Sequence, residues 1–208
     1  MALAMLLMAL NDDPESNFSV NEPVARYLPW EGVYGDRTVT QLLSNTSGIP
    51  GLGSVAPGTR FDYGGSQWQL AGAVAAQVSN STWRQAFDAY VAEPCDLEVF
   101  QFGNMWSNLE TWTGSPDSLQ GLDNPNIEGG AISSLQDYAK ILLMHLNGGL
   151  CGDNSVMSED SVAFMQVDRG GEFGVPNGMG WWHRRWTRRA PPSTDRLAVA
   201  LDAIGGSA

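Results

Sequence analysis

Residues 57–72 read Pro57-Gly58-Thr59-Arg60-Phe61-Asp62-Tyr63-Gly64-Gly65-Ser66-Gln67-Trp68-Gln69-Leu70-Ala71-Gly72. The stretch opens with a proline-glycine turn, passes through residues that suit an extended backbone, and reaches a tyrosine followed by two glycines and an apolar helical pattern. Tyr63 is therefore expected where a turn feeds a helix. Glycines at 64 and 65 would let the backbone come close to a ligand or take a positive φ, and the partial positive charge of the helix N-terminus would favour a phenolate. That is a setting for a tyrosine acting as a base. The same residues also allow an ordinary half-buried aromatic beside a tight turn.

Two further strings frame this one. Thr38-Val39-Thr40-Gln41-Leu42-Leu43-Ser44-Asn45-Thr46-Ser47-Gly48-Ile49-Pro50 precedes it, and Ile127-Glu128-Gly129-Gly130-Ala131-Ile132-Ser133-Ser134 with Asp137-Tyr138-Ala139-Lys140 follows. In order and spacing the three strings resemble the serine β-lactamase-related family, which includes class C β-lactamases, DD-peptidases and related esterases. The resemblance runs from about Ala2 to Trp182. It implies an α+β fold of the β-lactamase/transpeptidase type, of which this chain would hold mostly the helical subdomain, with Tyr63, and an incomplete antiparallel sheet. Unpaired apolar faces of that sheet would make the chain poorly soluble.

The resemblance also implies a three-part site. The family takes a nucleophilic serine and a lysine from a Ser-x-x-Lys helix start, a tyrosine from a Tyr-x-Asn-like loop, and a Lys-Thr-Gly or His-x-Gly segment from a late strand. The serine is activated by a neighbouring base, and a cation with backbone donors receives the oxyanion. Tyr63 is the catalytic residue that can be carried over. Gly64, Gly65, Gly129 and Gly130 are the matching substrate-binding positions, and Trp106 and Trp112, in the irregular stretch from Phe100 to Ile127, are candidates to line the same pocket. Gly65 stands where many relatives have asparagine, so one substrate-binding amide is missing.

The other two motifs are absent from these 208 residues. Lys140 is the only lysine and the residue three before it is Asp137, so there is no Ser-x-x-Lys and no Lys-Thr-Gly. Neither His145 nor His183 is followed two residues later by glycine. The family habit is a hydrolase that forms an acyl-enzyme on a small ester, amide or β-lactam, without cofactor or metal. The expectation for this chain is that it is inert. The competing reading is a non-catalytic remnant that keeps a ligand pocket. A weaker one pairs Tyr63 or a local serine with His183, and no spacing supports it. Ser44 and Ser47 lie in a loop where hydroxyls satisfy the backbone, with no lysine or histidine near them in sequence.

Met1-Ala2-Leu3-Ala4-Met5-Leu6-Leu7-Met8-Ala9-Leu10 is too short to span a bilayer, lacks a basic leader, and is expected as a core helix. In the resemblance it corresponds to the helix that continues from Ser-x-x-Lys, so the chain would begin just after its nucleophile. Helical patterns are expected over Thr38–Leu43 with Thr38 or Thr40 near the cap, over Trp68–Val78 ending at Ser79-Asn80, and over Trp83–Val91 capped by Ser81 or Thr82. Two more cover Leu135–Leu146, with Leu135, Tyr138, Leu142 and His145 near one face, and a short helix through Met165 capped by Ser158. On that reading His145 is a packed helical histidine.

A formal net charge of −12 argues against nucleic acid as a partner. The charge is unevenly spread. Residues 1–182 hold 21 acidic and 6 basic side chains, whereas 183–208 hold five arginines and two aspartates. The chain is accordingly divided into a partial β-lactamase-related domain, 1–182, and a basic tail, 183–208, read as disordered or frame-shifted, or as a segment that binds an acidic surface. Cys95 and Cys151 each follow a helix, and an even count there permits a disulfide, though two free buried thiols fit as well. A disulfide and the family habit together imply a periplasmic or secreted parent.

Overall fold

The computed structural model describes residues 1–28, 35–49, 55–102, 124, 125, 127, 129 and 131–183. Trp106, Trp112 and Gly130 lie outside the described residues, as does the tail from Arg184 onward.

The first helix, α1 (Ala2–Asp12), is the hub. Every residue from Ala2 to Leu10 is buried, which follows from a run with no polar side chain to give it an outer face. Helices α3 (Gly65–Ser79), α4 (Trp83–Phe87) and α6 (Glu159–Met165) all pack on it. At its far end Asp12 reaches across to α6, where its carboxylate accepts from the Ser158 backbone N–H (2.7 Å) and the Ser161 hydroxyl (2.7 Å). A backbone donor at that helix start and a hydroxyl in its first turn are thereby tied to the end of α1.

Short helices are fixed by their caps. Thr38 and Gln41 form a reciprocal capping box on α2 (Val39–Leu43), and Thr82 and Gln85 form another on α4. Ser158 caps α6 and Ser134 caps α5 (Leu135–Leu146). Helix α4 runs on through one π-helical turn, Asp88–Ala92, and its buried stripe of Trp83, Phe87 and Val91 meets Phe100 and Phe102 in an aromatic cluster with ring centroids 5.0–5.2 Å apart. Helix α3 ends on Asn80 in the left-handed conformation.

Strand content is small. Among the described residues β1 (Gln101–Phe102) pairs antiparallel with β2 (Ala131–Ile132), Phe102 opposite Ala131, and β3 (Leu150–Cys151) forms a hairpin with β4 (Asn154–Ser155). A single antiparallel bridge joins Asn177 to Trp182. The architecture is α+β, a helical body with an incomplete antiparallel sheet.

Two local expectations are corrected. Helix α3 begins at Gly65, three residues before Trp68, so the two glycines start the helix instead of forming a turn ahead of it. The buried face of α5 is Asp137, Ile141, Met144 and His145, while Leu135 is 84% exposed. The helix is rotated because Asp137 turns inward to accept the backbone N–H groups of Val99 (2.7 Å) and Glu98 (3.2 Å). Burial pushes the Asp137 carboxyl up, but those two donors, the Ser134 hydroxyl and Lys140 together hold it below the usual carboxylate range. Lys140 itself bonds to the Asp96 carbonyl and carboxylate on the surface.

Cys95 and Cys151 form a disulfide that ties the end of the α4 segment to β3, with Cα atoms 4.9 Å apart. It closes a loop of 56 residues in sequence separation, for which chain-entropy reasoning gives about 4 kcal/mol as an upper figure. Replacing both cysteines with serine is expected to lower the urea unfolding free energy by about 2–4 kcal/mol. Ellman titration of the unreduced, denatured protein should find no free thiol.

Candidate functional site

The loop that carries Tyr63 is laid against the turn after α2. Asn45 takes the left-handed conformation (φ 59°) and its carbonyl accepts from the Asp62 N–H at 2.8 Å, while the Thr46 carbonyl accepts from the Gly58 N–H at 2.7 Å. Gln67, in the first turn of α3 and fully buried, closes the arrangement. Its Nε2 donates to Asn45 Oδ1 (2.9 Å) and to the Asp62 carbonyl (2.7 Å), and its Oε1 accepts from the Ser47 hydroxyl (2.7 Å). Trp68 Nε1 adds a second bond to Asn45 Oδ1, at 3.1 Å.

The neighbouring turn is equally constrained. Arg37 is buried and donates from Nε to the Ser47 carbonyl (3.1 Å) and from Nη2 to the Val55 carbonyl (2.9 Å). Gly48 has φ 77°, and a Cβ there would stand 2.6 Å from the Val55 oxygen, so only glycine fits. Ser44 donates to the Thr40 carbonyl at 2.7 Å, so both loop serines are engaged in holding the backbone.

Tyr63 stands at the edge of this frame, 58% exposed. Its ring stands edge-on to Trp68 (5.6 Å between centroids) and tilted against Trp182 (6.0 Å), and Phe61 packs edge-on to Trp182 at 6.0 Å. Among the described residues its hydroxyl has no hydrogen-bond partner. Gly64 has φ 176°, an extended conformation that any residue adopts, and Gly65 is buried at the start of α3. Of the two uses open to these glycines, a positive φ is not taken up, because the chain enters the helix directly from the extended segment.

Beside the tyrosine lies a cavity of about 550 Å³, within the usual range for small-molecule sites. Its walls come from the start of α1, the start of α5, β1 and β2, and the bridge at Trp182. Trp68 and Trp182 belong both to the cavity wall and to the aromatic cradle of Tyr63, which places the tyrosine on the rim. Gly129 lines the cavity, while Gly64 and Gly65 are outside its wall. Among the described residues no cluster of side chains is arranged to hold a metal ion.

His145 is not part of this site. It is buried on α5, its Nδ1 is 2.9 Å from the Ile141 carbonyl, and its ring stands edge-on to Trp181 at 4.8 Å. Burial lowers its pKa to about 4, with the amino group of Met1 adding to the effect, so it is neutral at pH 7. Among the described residues no hydrogen bond joins His183 to Tyr63. Two residues that organise the site, Gln67 and Trp182, were not singled out by the sequence reading as site residues. A glutamine on the same helical face as Leu70, Ala71 and Val74 was the available signal for the first, since a polar side chain there must find buried partners.

The β-lactamase family model matches residues 1–205, and the chain belongs to the β-lactamase family. Solved structures agree on the fold. A candidate β-lactamase from Bacteroides dorei is 24% identical with a TM-score of 0.67, covering 88% of this chain and 63% of its own. A family VIII carboxylesterase is 20% identical with a TM-score of 0.65, covering 91% of this chain and 67% of its own. A class C β-lactamase from Rhodobacter sphaeroides is 19% identical with a TM-score of 0.60, covering 99% of this chain and 63% of its own. The chain thus spans about two thirds or less of the length of these proteins. A comparison with curated protein sequences found no match. Among the described residues no helix is long and apolar enough to cross a membrane.

Replacing Gln67 with leucine removes the acceptor of the Ser47 hydroxyl and the side-chain donor to the Asp62 carbonyl, leaves Asn45 Oδ1 with Trp68 Nε1 alone, and is expected to cost about 3 kcal/mol in urea unfolding. Tyr63 should become more accessible to iodination in the same variant. His145 makes a separate prediction about pH. Its folded pKa of about 4 lies below the unfolded value of 6.5, so the unfolded chain binds the extra proton between them and stability falls as pH drops through that window. The loss is about 3 kcal/mol from this residue. A His145→Phe variant should lose that slope between pH 6.5 and 4 in denaturation curves while keeping the part due to carboxylates.

Proposed function

We propose that this chain carries the tyrosine-bearing half of a serine-hydrolase site that acts through an acyl-enzyme on an ester, amide or β-lactam, and that the 208 residues by themselves perform no acyl transfer. The observation that supports the first part is the position of Tyr63, held by the Asn45 and Gln67 network on the rim of a cavity at the start of α1. In that place a phenolic oxygen can take a proton from a nucleophile and pass it to a leaving group. The solved carboxylesterase and class C β-lactamase share the fold and frame the choice of chemistry. The second part, inertness, is supported by the placement of the serines and the lysine. Ser44 and Ser47 are consumed in the turn, and the one lysine, Lys140, bonds to Asp96 away from the cavity.

The second reading is a ligand-binding remnant of the same fold, in which Tyr63 and the two tryptophans contact a molecule without reacting. The existing cavity favours it for the chain as it stands. A fluorophosphonate probe separates chemistry from binding. No covalent labelling is expected at pH 7 to 9, by intact mass spectrometry, and a stoichiometric adduct on any serine would overturn the inert reading.

A further inference from the structure

We infer that the apolar outer stripe of α5 is the docking surface for the end of this same chain, residues 197–204. Helix α5 is apolar on two sides. Ile141 and Met144 are buried on its inner face, yet Leu135, Leu143 and Leu146 stand 84%, 54% and 37% exposed on the other, and Leu150, in the strand that follows, is also exposed. Positions 135, 139, 143 and 146 succeed one another in steps of four, four and three, so with the exposed Ala139 they form one row along the helix. Single leucines on a surface need no explanation, but a row of them the length of a helix marks a face for another apolar segment.

Charge decides the occupant. The segment 93–99 lies along one flank of α5, tied to it by the bonds of Glu98 and Val99 to Asp137 and of Lys140 to Asp96. It exposes Glu93, Asp96 and Glu98, and among the described residues Glu93 and Glu98 have no ion pair. A second copy would bring another net charge of −12 to this flank, and residues 103–123 hold three acidic side chains and no basic one. Residues 184–204 hold five arginines against two aspartates, the opposite sign. Their apolar pattern also fits. Leu197, Leu201 and Ile204 recur in steps of four and three, as the stripe does, between Pro191-Pro192 and Gly205-Gly206. The chain reaches the stripe easily. Trp182 shares the cavity wall with Leu135 and Tyr138 at the start of α5, and Trp181 packs on His145 from its inner side. The 13 residues 184–196 can extend to about 40 Å, against roughly 18 Å for the whole of α5.

The test is photo-crosslinking from the tail, with p-benzoylphenylalanine in place of Leu201 in the 208-residue protein. The expected product is a monomer in which position 201 is joined to a residue of Leu135–Leu146, identified by mass spectrometry after digestion, in a yield independent of protein concentration. Leu143→Glu, at a position more than half exposed, should cut that yield at least about tenfold, because a carboxylate then stands in the apolar contact. Leu197→Glu repeats the test from the tail and leaves α5 unaltered, so a folding defect in the first variant would not decide the matter. Glu93→Lys combined with Glu98→Lys should lower the yield about threefold by reversing the charge that meets the arginines. Crosslinks to another part of the chain, crosslinks between two molecules that grow with concentration, no crosslink, or a yield unchanged in any of these variants would each overturn the inference.

Discussion

The Gln67 side chain joins three segments through a single buried amide. It bonds at one end to the Ser47 hydroxyl and at the other to Asn45 and the Asp62 carbonyl, so α3, the turn after α2 and the loop before Tyr63 share one buried amide. Amide geometry makes this specific. One oxygen and one NH₂ group present an acceptor and two donors in fixed directions, and a side chain of similar size without them leaves several polar atoms unpaired in a site closed to water. Without this link the extended segment at 58–62 would be held mainly by two backbone hydrogen bonds, and the ring of Tyr63 would have no defined approach to the cavity. The placement of the site therefore depends on a residue that does no chemistry.

The second constraint is α1. A helix buried on all sides can be stable only if other elements surround it, which is why α3, α4 and α6 converge there and why the cavity opens at its first turn. The two ends are treated differently. The C-terminal end is fixed by Asp12, which bonds to the start of α6, and the N-terminal end contributes to the cavity wall. The stable end anchors, and the other is where a ligand can reach the core. The disulfide between Cys95 and Cys151 ties the far side of the body together, at a distance from the cavity wall, so it can add stability without shaping the site.

Legibility of this chain in sequence follows the range of the interactions. The caps Thr38, Thr82, Ser134 and Ser158 act within three residues, and helix starts could be placed from them. The central helix was legible because ten consecutive residues carry no charge or strong polarity. The orientation of α5 was not. Periodicity gives a stripe, but which stripe faces inward was decided by Asp137 meeting the Val99 and Glu98 N–H groups, partners 38 and 39 residues away. An aspartate is ordinarily assigned to the surface, and nothing near it in sequence announces those donors. Gln67 was missed for the same reason, since its side-chain partners Ser47 and Asn45 lie 20 and 22 residues away. The motif around Tyr63 was recognisable, but the conformation of its glycines was not, because a glycine pair is equally at home in a positive-φ turn and at a helix start.

The acid-base role proposed for Tyr63 sets a requirement on the frame. A residue that is to exchange protons must be fixed in position while its reactive atom stays available, and these demands conflict when the same hydroxyl serves as the anchor. Here they are separated. The backbone on either side is held through Asp62 and through the first turn of α3, the ring is held by Trp68 and Trp182, and the hydroxyl bears none of that load. Contrast Tyr90, whose hydroxyl donates to Asp13 at 2.7 Å, a bond that with burial and the nearby Asp13 and Glu15 charges pushes its pKa up to about 12. That phenol is locked as a donor and is of no use as a base near neutral pH. The two tyrosines occupy the same body and differ in what holds them: packing in one case, a charged acceptor in the other. Holding a side chain by its ring keeps its oxygen available, and the acid-base role proposed for Tyr63 needs that division.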